Sequence, residues 1–148
     1  MDAIQEHQRG PYRVTTDPTQ LDTEAIHAYL TRSYWAEGIT RETVEQSLQA
    51  SLCFGLFDNA RQIGFARVIT DHATFAYLCD VYVLEEYRGQ GLGTWLVKIV
   101  TECPALTRVR RFLLATRDAH ELYSKFGFAP LRAPARFMEI FRPGKGAT

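Results

Sequence analysis

The sequence predicts an α/β fold built on a mixed sheet, in which an antiparallel meander precedes alternating strands and helices. Three observations lead to this fold class. Three apolar runs in the middle of the chain are separated by turn residues, as in consecutive antiparallel strands. A helix with one wide apolar stripe follows them, as expected for a helix that packs on a sheet. Beyond it, strand-like and helix-like segments alternate, which is typical of α/β proteins.

A short strand, two helices and the meander are predicted for the first half of the chain. A strand over 12–15 precedes the turn at Asp17-Pro18, after which apolar residues recur at helical spacing from Leu21 to Tyr29. Thr40 is a good N-cap for a second helix over 40–50. The meander strands are predicted at 52–57, 63–70 and 75–84. The last of these is apolar on both faces, which favours a central position in the sheet.

The second half begins with the clearest helix pattern of the chain. Apolar residues follow Leu92 at i+3, i+4, i+7, i+8 and i+11, and Pro104 ends the helix. A strand is predicted over 111–116. Closing strands are predicted at 128–131 and 137–141, so that the element order is β-α-α-β-β-β-α-β-α-β-β.

A last helix is predicted between the strand over 111–116 and the closing strands. Asp118 is placed to cap it, and Glu121 three residues later completes a start that resembles a capping box. Gly127 is a typical helix C-terminal residue, so this helix should end near Phe126.

Length and composition indicate one globular domain. The chain has 148 residues, 46% of them hydrophobic and 23% charged, which is too apolar for a disordered protein. We expect a core over 12–141 with frayed tails at 1–11 and 142–148. Seventeen basic residues balance seventeen acidic ones, so the overall charge favours neither a nucleic acid nor a membrane as partner. The polar N-terminus and the lack of a long apolar run predict a cytoplasmic protein.

The two halves of the chain differ in charge. Residues 1–60 carry nine acidic and four basic residues, and residues 61–148 carry eight acidic and thirteen basic residues. A basic stretch can attract an anionic ligand, although a solvated face of mixed charge would look the same. The three cysteines are widely spaced, and no cluster has metal-ligand spacing, so neither a disulfide framework nor a metal site is predicted.

A glycine-rich loop joins the predicted central strand to the best helix. It reads Arg88-Gly89-Gln90-Gly91-Leu92-Gly93. Glycines let backbone N–H groups converge on one point, and the helix N-terminus that follows adds its dipole and free N–H groups, so the loop can hold phosphates. No Lys follows, which excludes a P-loop, and Thr94 stands where a dinucleotide-binding loop has its third glycine. The alternative is that the glycines only let the strand and helix pack closely.

Two segments of the chain resemble one family. Residues 83–93, with Arg88, Gly91 and Gly93, resemble the Arg/Gln-x-x-Gly-x-Gly/Ala acetyl-CoA signature of the general-control-related N-acetyltransferases, the GNAT superfamily. Residues 118–128 resemble its Asn-x-x-Ala-x-x-Leu-Tyr-x-x-x-Gly-Phe segment, with Asp118 where the family commonly has Asn. The resemblance covers about 12–141. It implies a GNAT-like fold, an acetyl-CoA-dependent N-acetyltransferase activity and, as a further expectation, a homodimer.

The resemblance also implies a cofactor site. Acetyl-CoA would lie where the central strand and the strand at 111–116 separate, with the pyrophosphate on the glycine loop. The implied cofactor-binding residues are Val81, Tyr82, Val83, Arg88, Gly89, Gln90, Gly91, Leu92, Gly93, Thr94, Asp118 and Tyr123. Asp118 can accept but not donate a hydrogen bond to the pantetheine arm, so it is a weaker candidate.

Catalytic residues follow partly from the resemblance and partly from the residues themselves. Tyr123 resembles the general acid that protonates the departing CoA sulfur. Asp80 is an acid within an apolar strand, which indicates either function or pairing with an arginine. Tyr77 and His72 are the other candidate bases, and a water relay is the remaining alternative. Alternation places Tyr77 and Asp80 on opposite faces unless a bulge intervenes.

The acceptor site is expected at the connection between the first two helices. Tyr34 and Trp35 there stand beside Glu37, and aromatic faces with a carboxylate suit a cationic amine. Packing of the two aromatic side chains in the core is the alternative. The expected acceptor is a primary amine of a small molecule or a protein. The rival functions are an acyl-CoA sensor without turnover and a transferase that uses a longer acyl donor.

Overall fold

The protein is described from a computed structural model, which covers residues 3–143. The strands are β1 (Glu6–Arg9), β2 (Tyr12–Thr15), β3 (Leu52–Asp58), β4 (Arg61–Thr70), β5 (Phe75–Val83) and β6 (Arg111–Leu114). The helices are α1 (Thr23–Leu30), α2 (Arg41–Gln49), α3 (Leu92–Thr101) and α4 (His120–Ser124). Four single 3₁₀ turns lie at Pro18–Gln20, Glu85–Tyr87, Pro104–Leu106 and Pro134–Arg136.

One six-stranded sheet forms the centre of the fold. Its strands lie in the order β1-β2-β3-β4-β5-β6, so each strand is beside its neighbour in the chain. The first four pairings are antiparallel. The last, between β5 and β6, is parallel, because α3 connects the two strands as a crossover. The predicted mixed α/β fold with an antiparallel meander is therefore confirmed.

Helices cover both faces of the sheet. On one face, α3 buries Leu92, Leu96 and Val100 against β3, β4 and β5. On the other face, α1 and α2 bury Ile26, Leu30 and other apolar residues in a second cluster that includes Phe65 and Tyr82 of the sheet. Strand alternation explains this division, since neighbouring residues of a strand point to opposite faces. Strand β5 is therefore covered by helices on both of its faces.

Two of three residues that were predicted to begin or end a helix have the expected hydrogen bond or conformation. The side chain of Thr40 accepts a hydrogen bond from the N–H of Thr43 and caps α2 as predicted. Gly127 has a φ of 95°, the left-handed conformation that glycine adopts after a helix. The prediction for Asp118 was wrong, because α4 begins after Ala119 and no side chain caps it. The Thr116 hydroxyl instead accepts a hydrogen bond from the Ala119 N–H.

Further predictions were wrong towards the two ends of the chain. Residues 6–9 were expected in a frayed tail, but they form β1, which pairs antiparallel with β2. The predicted strands at 128–131 and 137–141 are not formed, and α4 is shorter than expected. The C-terminal residues 144–148 of the predicted second tail lie outside the described residues.

Candidate active site

The cleft of the candidate site opens where β5 and β6 separate. Their pairing runs from Phe75 beside Arg111 to Leu78 beside Leu114, where β6 ends. β5 continues for five more residues to Val83. Within the described chain no strand pairs with this last part of β5 on the β6 side. Backbone groups of Val81, Tyr82 and Val83 therefore lie along one wall of this opening.

A β-bulge lies at the start of this wall. Phe65 of β4 is opposite Tyr82, but Arg67 is opposite Cys79, so β5 contains one extra residue between these two pairs. Asp80 has a φ of 56°, a left-handed conformation that non-glycine residues seldom adopt. The bulge changes the alternation of side chains along the strand. Tyr77 and Asp80 consequently share the face of the sheet that α1 and α2 cover.

The Asp80 carboxylate is held by two side chains. Its Oδ2 accepts a 2.8 Å hydrogen bond from Nε of Arg67, and its Oδ1 accepts one of 2.9 Å from Nε1 of Trp35. Arg67 also donates to the Ser51 hydroxyl at 3.0 Å. The side chains of Asp80 and Arg67 are only 9% and 16% exposed. Asp80 is thus paired with an arginine, which was one of its two sequence-based interpretations, and Arg67 is a site residue that the sequence had not indicated.

Tyr77 and His72 differ in their surroundings. Tyr77 is half-buried, and burial together with Cys79 and Asp80 raises the pKa of its phenol, with Arg67 acting in the opposite direction. At neutral pH it is therefore a hydrogen-bond donor and not a base. His72 lies in the exposed β4–β5 turn, where its backbone N–H donates to the Thr70 hydroxyl and its φ is 63°. The turn accounts for this residue, as the simpler sequence interpretation proposed.

Tyr123 stands on α4, which follows β6 on the other side of the cleft. Its side chain is half-buried, and its ring contacts that of Phe128 edge-on at 6.0 Å. Burial, with a smaller contribution from Tyr34, raises the pKa of the phenol to about 12. Within residues 3–143 the hydroxyl makes no hydrogen bond, and it is not completely buried. At neutral pH the phenol is therefore a protonated donor.

An aromatic cluster connects the two sides of the site. The Tyr34 and Trp35 rings contact each other edge-on at 5.1 Å. The guanidinium of Arg117, from the loop after β6, lies 3.7 Å from the centre of the Tyr34 ring. Both aromatic side chains are substantially exposed, so they are not core anchors. Glu37 is also exposed, and its carboxylate forms no ion pair with another residue of the described part of the chain.

The glycine loop has the backbone geometry that its sequence predicted. Gly89 and Gly91 have φ values of 84° and 79°, a conformation in which a side chain would be strained. Gly91 is the N-cap residue of α3, and no side chain caps this helix. The first N–H groups of α3, from Leu92, Gly93 and Thr94, are consequently available to an anion. Gly93 lies within the helix, where an added Cβ would be 3.9 Å from Val83 Cγ2.

Arg88 turns away from this anion site. Its Nε donates to the Val83 carbonyl at 3.0 Å, and its terminal nitrogen donates to the Tyr29 hydroxyl at 2.8 Å. The Tyr29 ring stacks on Tyr82 with a centroid distance of 3.9 Å. The Arg88 side chain therefore ties the loop to the end of β5 and to α1, although the sequence had placed it among the cofactor contacts.

The β1–β2 hairpin adds two contacts to the loop that sequence reasoning missed. Arg9 donates from a terminal nitrogen to the Gly91 carbonyl at 3.4 Å, and the Tyr12 hydroxyl donates to Gln90 at 3.0 Å. Arg9 also lies 5.9 Å from the centre of the Trp95 ring. No sequence signal marks these contacts, because β1 is polar and entirely exposed.

Asp118 lies in the loop that leads from β6 to α4. It is exposed, and its carboxylate is 3.6 Å from the guanidinium of Arg117.

The structure also bears on metal sites and on membrane spans. Within residues 3–143 no group of three or more His, Cys, Asp or Glu side chains could hold a metal ion. In the same part of the chain, the helices are too short or too polar to cross a bilayer.

Comparisons with a family model and with related sequences indicate the same family. The family model for the acetyltransferase (GNAT) domain matches residues 49–130, which include β3 to α4. A protein of Gibberella zeae described as a candidate acetyltransferase is 35% identical over an alignment of 138 positions, and the match covers 79% of this chain and 78% of the relative.

Two solved structures extend the comparison to the fold. A candidate acetyltransferase of the GNAT family from Xanthomonas campestris is 46% identical, with 93% of this chain and 97% of that chain covered and a TM-score of 0.89. A candidate acetyltransferase of Clostridium acetobutylicum, solved with acetyl-CoA, has the same fold at 16% identity, with a TM-score of 0.64 and 88% and 94% of the two chains covered.

Proposed function

Because the chain belongs to the GNAT family of acetyltransferases, we propose that it transfers an acetyl group from acetyl-CoA to a primary amine of a small molecule or a protein. The observation that carries this proposal is the alignment of three features along one cleft. The unpaired end of β5 leads to the uncapped N-terminus of α3, and the phenol of Tyr123 belongs to α4, the helix that follows β6.

The proposed cofactor path follows these features. The pyrophosphate of CoA would bind the loop from Gly89 to Thr94, where two left-handed glycines expose backbone N–H groups. The pantetheine would run along the free edge of Val81–Val83 and pair with its backbone. The structure of the Clostridium relative contains acetyl-CoA, which supports this choice of acyl donor. No metal is needed in this scheme.

Tyr123 is proposed as the general acid. Attack of a neutral amine on the thioester carbonyl forms the amide bond and breaks the C–S bond, so the CoA sulfur leaves as a thiolate that needs a proton. Tyr123 is protonated at neutral pH because burial raises its pKa to about 12. Proton donation by a positioned group contributes on the order of 10²-fold or more to such a reaction.

Asp80 and Tyr77 are proposed to orient the acceptor amine. A carboxylate has about four acceptor positions, so Asp80 can accept from an amine while it keeps Arg67 and Trp35. Both oxygens of Asp80 already accept hydrogen bonds from Arg67 and Trp35, and we propose that water carries the amine proton away. Tyr34, Trp35 and Glu37 would form the outer part of this acceptor site. The predicted cytoplasmic location stays a prediction.

The experiment that tests the function is a thiol-release assay with acetyl-CoA. Polyamines, aminoglycosides, amino acids and lysine peptides would be offered as acceptors, with calorimetric titration of CoA and acetyl-CoA in parallel. Release of CoA with one class of acceptor is expected and would identify the substrate. Binding of CoA without turnover by any amine would favour the sensor function, and turnover only with a longer acyl-CoA would change the donor. The absence of CoA binding would contradict the proposal.

A further inference from the structure

Arg117 places a positive charge at the mouth of the candidate site. It lies in the loop after β6, and its guanidinium is 3.7 Å from the centre of the Tyr34 ring, which is close to the contact distance of two flat groups that lie face to face. None of its N–H groups donates a hydrogen bond to another residue among 3–143. The carboxylate of Asp118 is 3.6 Å away, which is beyond hydrogen-bond distance.

The stack on Tyr34 holds the guanidinium and leaves its edge open. The five N–H donors of an arginine lie in the plane of the group, so a ring against its face does not block them. The pair with Asp118 is weak competition for a ligand, because its two side chains are 64% and 67% exposed and exposed pairs contribute little. An arginine binds a carboxylate through two parallel N–H bonds, and Arg117 has these donors available.

Tyr34 brings this cation close to the reacting groups of the proposed transferase. Tyr34 belongs to the connection between α1 and α2 and Arg117 to the loop between β6 and α4, so their contact joins the two sides of the site. Tyr34 is near enough to Tyr123 to contribute to the raised pKa of its phenol. It also contacts Trp35, which donates to Asp80. The remaining groups of an acceptor whose amine lies between Asp80 and Tyr123 would therefore meet Arg117.

The same contact disfavours an acceptor with a second positive charge. An open aromatic face suits a cation, but one face of Tyr34 is already occupied by the guanidinium of Arg117. A second ammonium group beside it would meet a like charge. Glu37 is the exposed acid of the same connection and would act in the opposite direction, so its effect must be separated from that of Arg117.

We propose that the acceptor is a small molecule with an amine at one end and a carboxylate at the other, and that Arg117 binds the carboxylate. This inference rests on the proposed function and specifies its substrate class. The amine nitrogen forms the amide bond as the C–S bond breaks, its proton passes to water, and the CoA sulfur takes a proton from Tyr123. The carboxylate of the acceptor is unchanged and serves only to bind.

The test compares acceptors that differ only in the group remote from the amine. Linear amino acids of increasing length are each matched with the alkylamine and the diamine of the same length, and kcat/KM is measured from the release of CoA. We expect the best amino acid to exceed its two matched amines by about tenfold or more, because hydrogen bonds between charged partners are strong. The preference should decrease at high ionic strength.

Variants of the full chain assign the preference to Arg117. Arg117→Gln should abolish it, and Arg117→Lys should keep only part of it, since lysine retains the charge but not the flat, two-pronged donor. Arg108→Gln is the matched control. Arg108 is an exposed arginine in the turn that precedes β6, at the opposite end of that strand, so its substitution should leave the preference unchanged.

The possible outcomes separate this inference from the proposed function. A wild type that uses alkylamines or diamines as well as amino acids would overturn the inference and leave the transferase intact. A preference for diamines that Glu37→Gln removes, or turnover of lysine peptides alone, would overturn it as well. A preference for amino acids that survives Arg117→Gln would contradict the role of Arg117. Release of no CoA with any amine would contradict the proposed function, and the inference with it.

Discussion

Arg67 and Asp80 form a buried ion pair across β4 and β5, with 2.8 Å between Nε and Oδ2. The pair lies at the bulge that gives Asp80 its positive φ. It therefore joins the backbone irregularity of β5 to the acceptor side of the candidate site. Trp35, which donates to the other oxygen of Asp80, extends the same network to the connection between α1 and α2.

Removal of Arg67 should destabilise the protein because Asp80 would remain buried without its cation. For Arg67→Met we expect the free energy of unfolding to fall by about 3 kcal/mol, as measured by urea denaturation. The variant Arg67→Met/Asp80→Asn should regain part of this loss, since it removes the unpaired charge as well. Arg61→Met breaks the exposed Arg61–Glu86 pair and should leave the denaturation midpoint unchanged. Equal effects of the two arginine substitutions would contradict the importance of the buried pair.

The backbone conformation of Gly91 should be needed for cofactor binding. An alanine at a φ of 79° is strained by roughly 1–2 kcal/mol, and the loop would relax away from the geometry that presents its N–H groups. We expect Gly91→Ala to weaken CoA binding about tenfold in calorimetric titration, which corresponds to ~1.4 kcal/mol.

Gly93→Ala serves as the control for this change. Gly93 is within α3, and its added Cβ would make only an ordinary contact with Val83, so the helix should become slightly more stable. Gly91→Ala should therefore lower the thermal stability and Gly93→Ala should not. An equal loss of stability in both variants would show that strain at the N-cap does not cause the effect of Gly91→Ala.

Stability should fall in alkaline solution. Burial raises the pKa of Cys53 and Cys79 from 9.0 to about 12, and that of Tyr123 from 10.0 to about 12. Between these values the unfolded chain loses protons that the folded protein keeps, so stability that is complete below pH 9 decreases as the pH rises towards 12. Urea denaturation at pH 7, 9 and 10.5 should show this decrease.

The variant Cys53→Ala/Cys79→Ala separates the thiols from the other groups. It should be less stable at pH 7 because it leaves cavities, but its stability should decrease less steeply above pH 9. A slope identical to that of the wild type would show that the two thiols do not contribute to the alkaline effect.

The main fold was predictable because its signals are periodic and local. The meander and α3 have clear apolar patterns, and turn residues separate the strands. β1 was missed because its four residues are polar and exposed, so only backbone pairing with β2 defines it. The apolar pattern of 137–141 did indicate a strand, but this segment pairs with no strand among residues 3–143. Periodicity records which residues favour a strand and not which edge they join.

The candidate site was predictable where it depends on backbone and glycine, and less so where it depends on pairing across the sheet. The geometry of Gly89 and Gly91 follows from the loop sequence. The pairing of Asp80 with Arg67 did not follow from the sequence, although Arg67 is also a lone charge in an apolar strand and the two strands are neighbours in the meander. The bulge shifted their register, which simple alternation does not include. The direction of the Arg88 side chain depends on Tyr29, 59 residues away, and no local pattern contains it.

The most direct test of the central claim is the steady-state rate of acetyl transfer by the wild type and by Tyr123→Phe, with the same acceptor and with CoA affinity measured on both. The phenylalanine keeps the ring and its contact with Phe128 and removes only the hydroxyl. We predict that kcat falls on the order of 10²-fold while CoA binds with unchanged affinity. Tyr77→Phe, the matched change on the acceptor face, should raise KM for the amine more than it lowers kcat. An unchanged kcat in Tyr123→Phe would contradict the assignment of the general acid, and a wild type that releases no CoA with any amine would contradict the transferase itself.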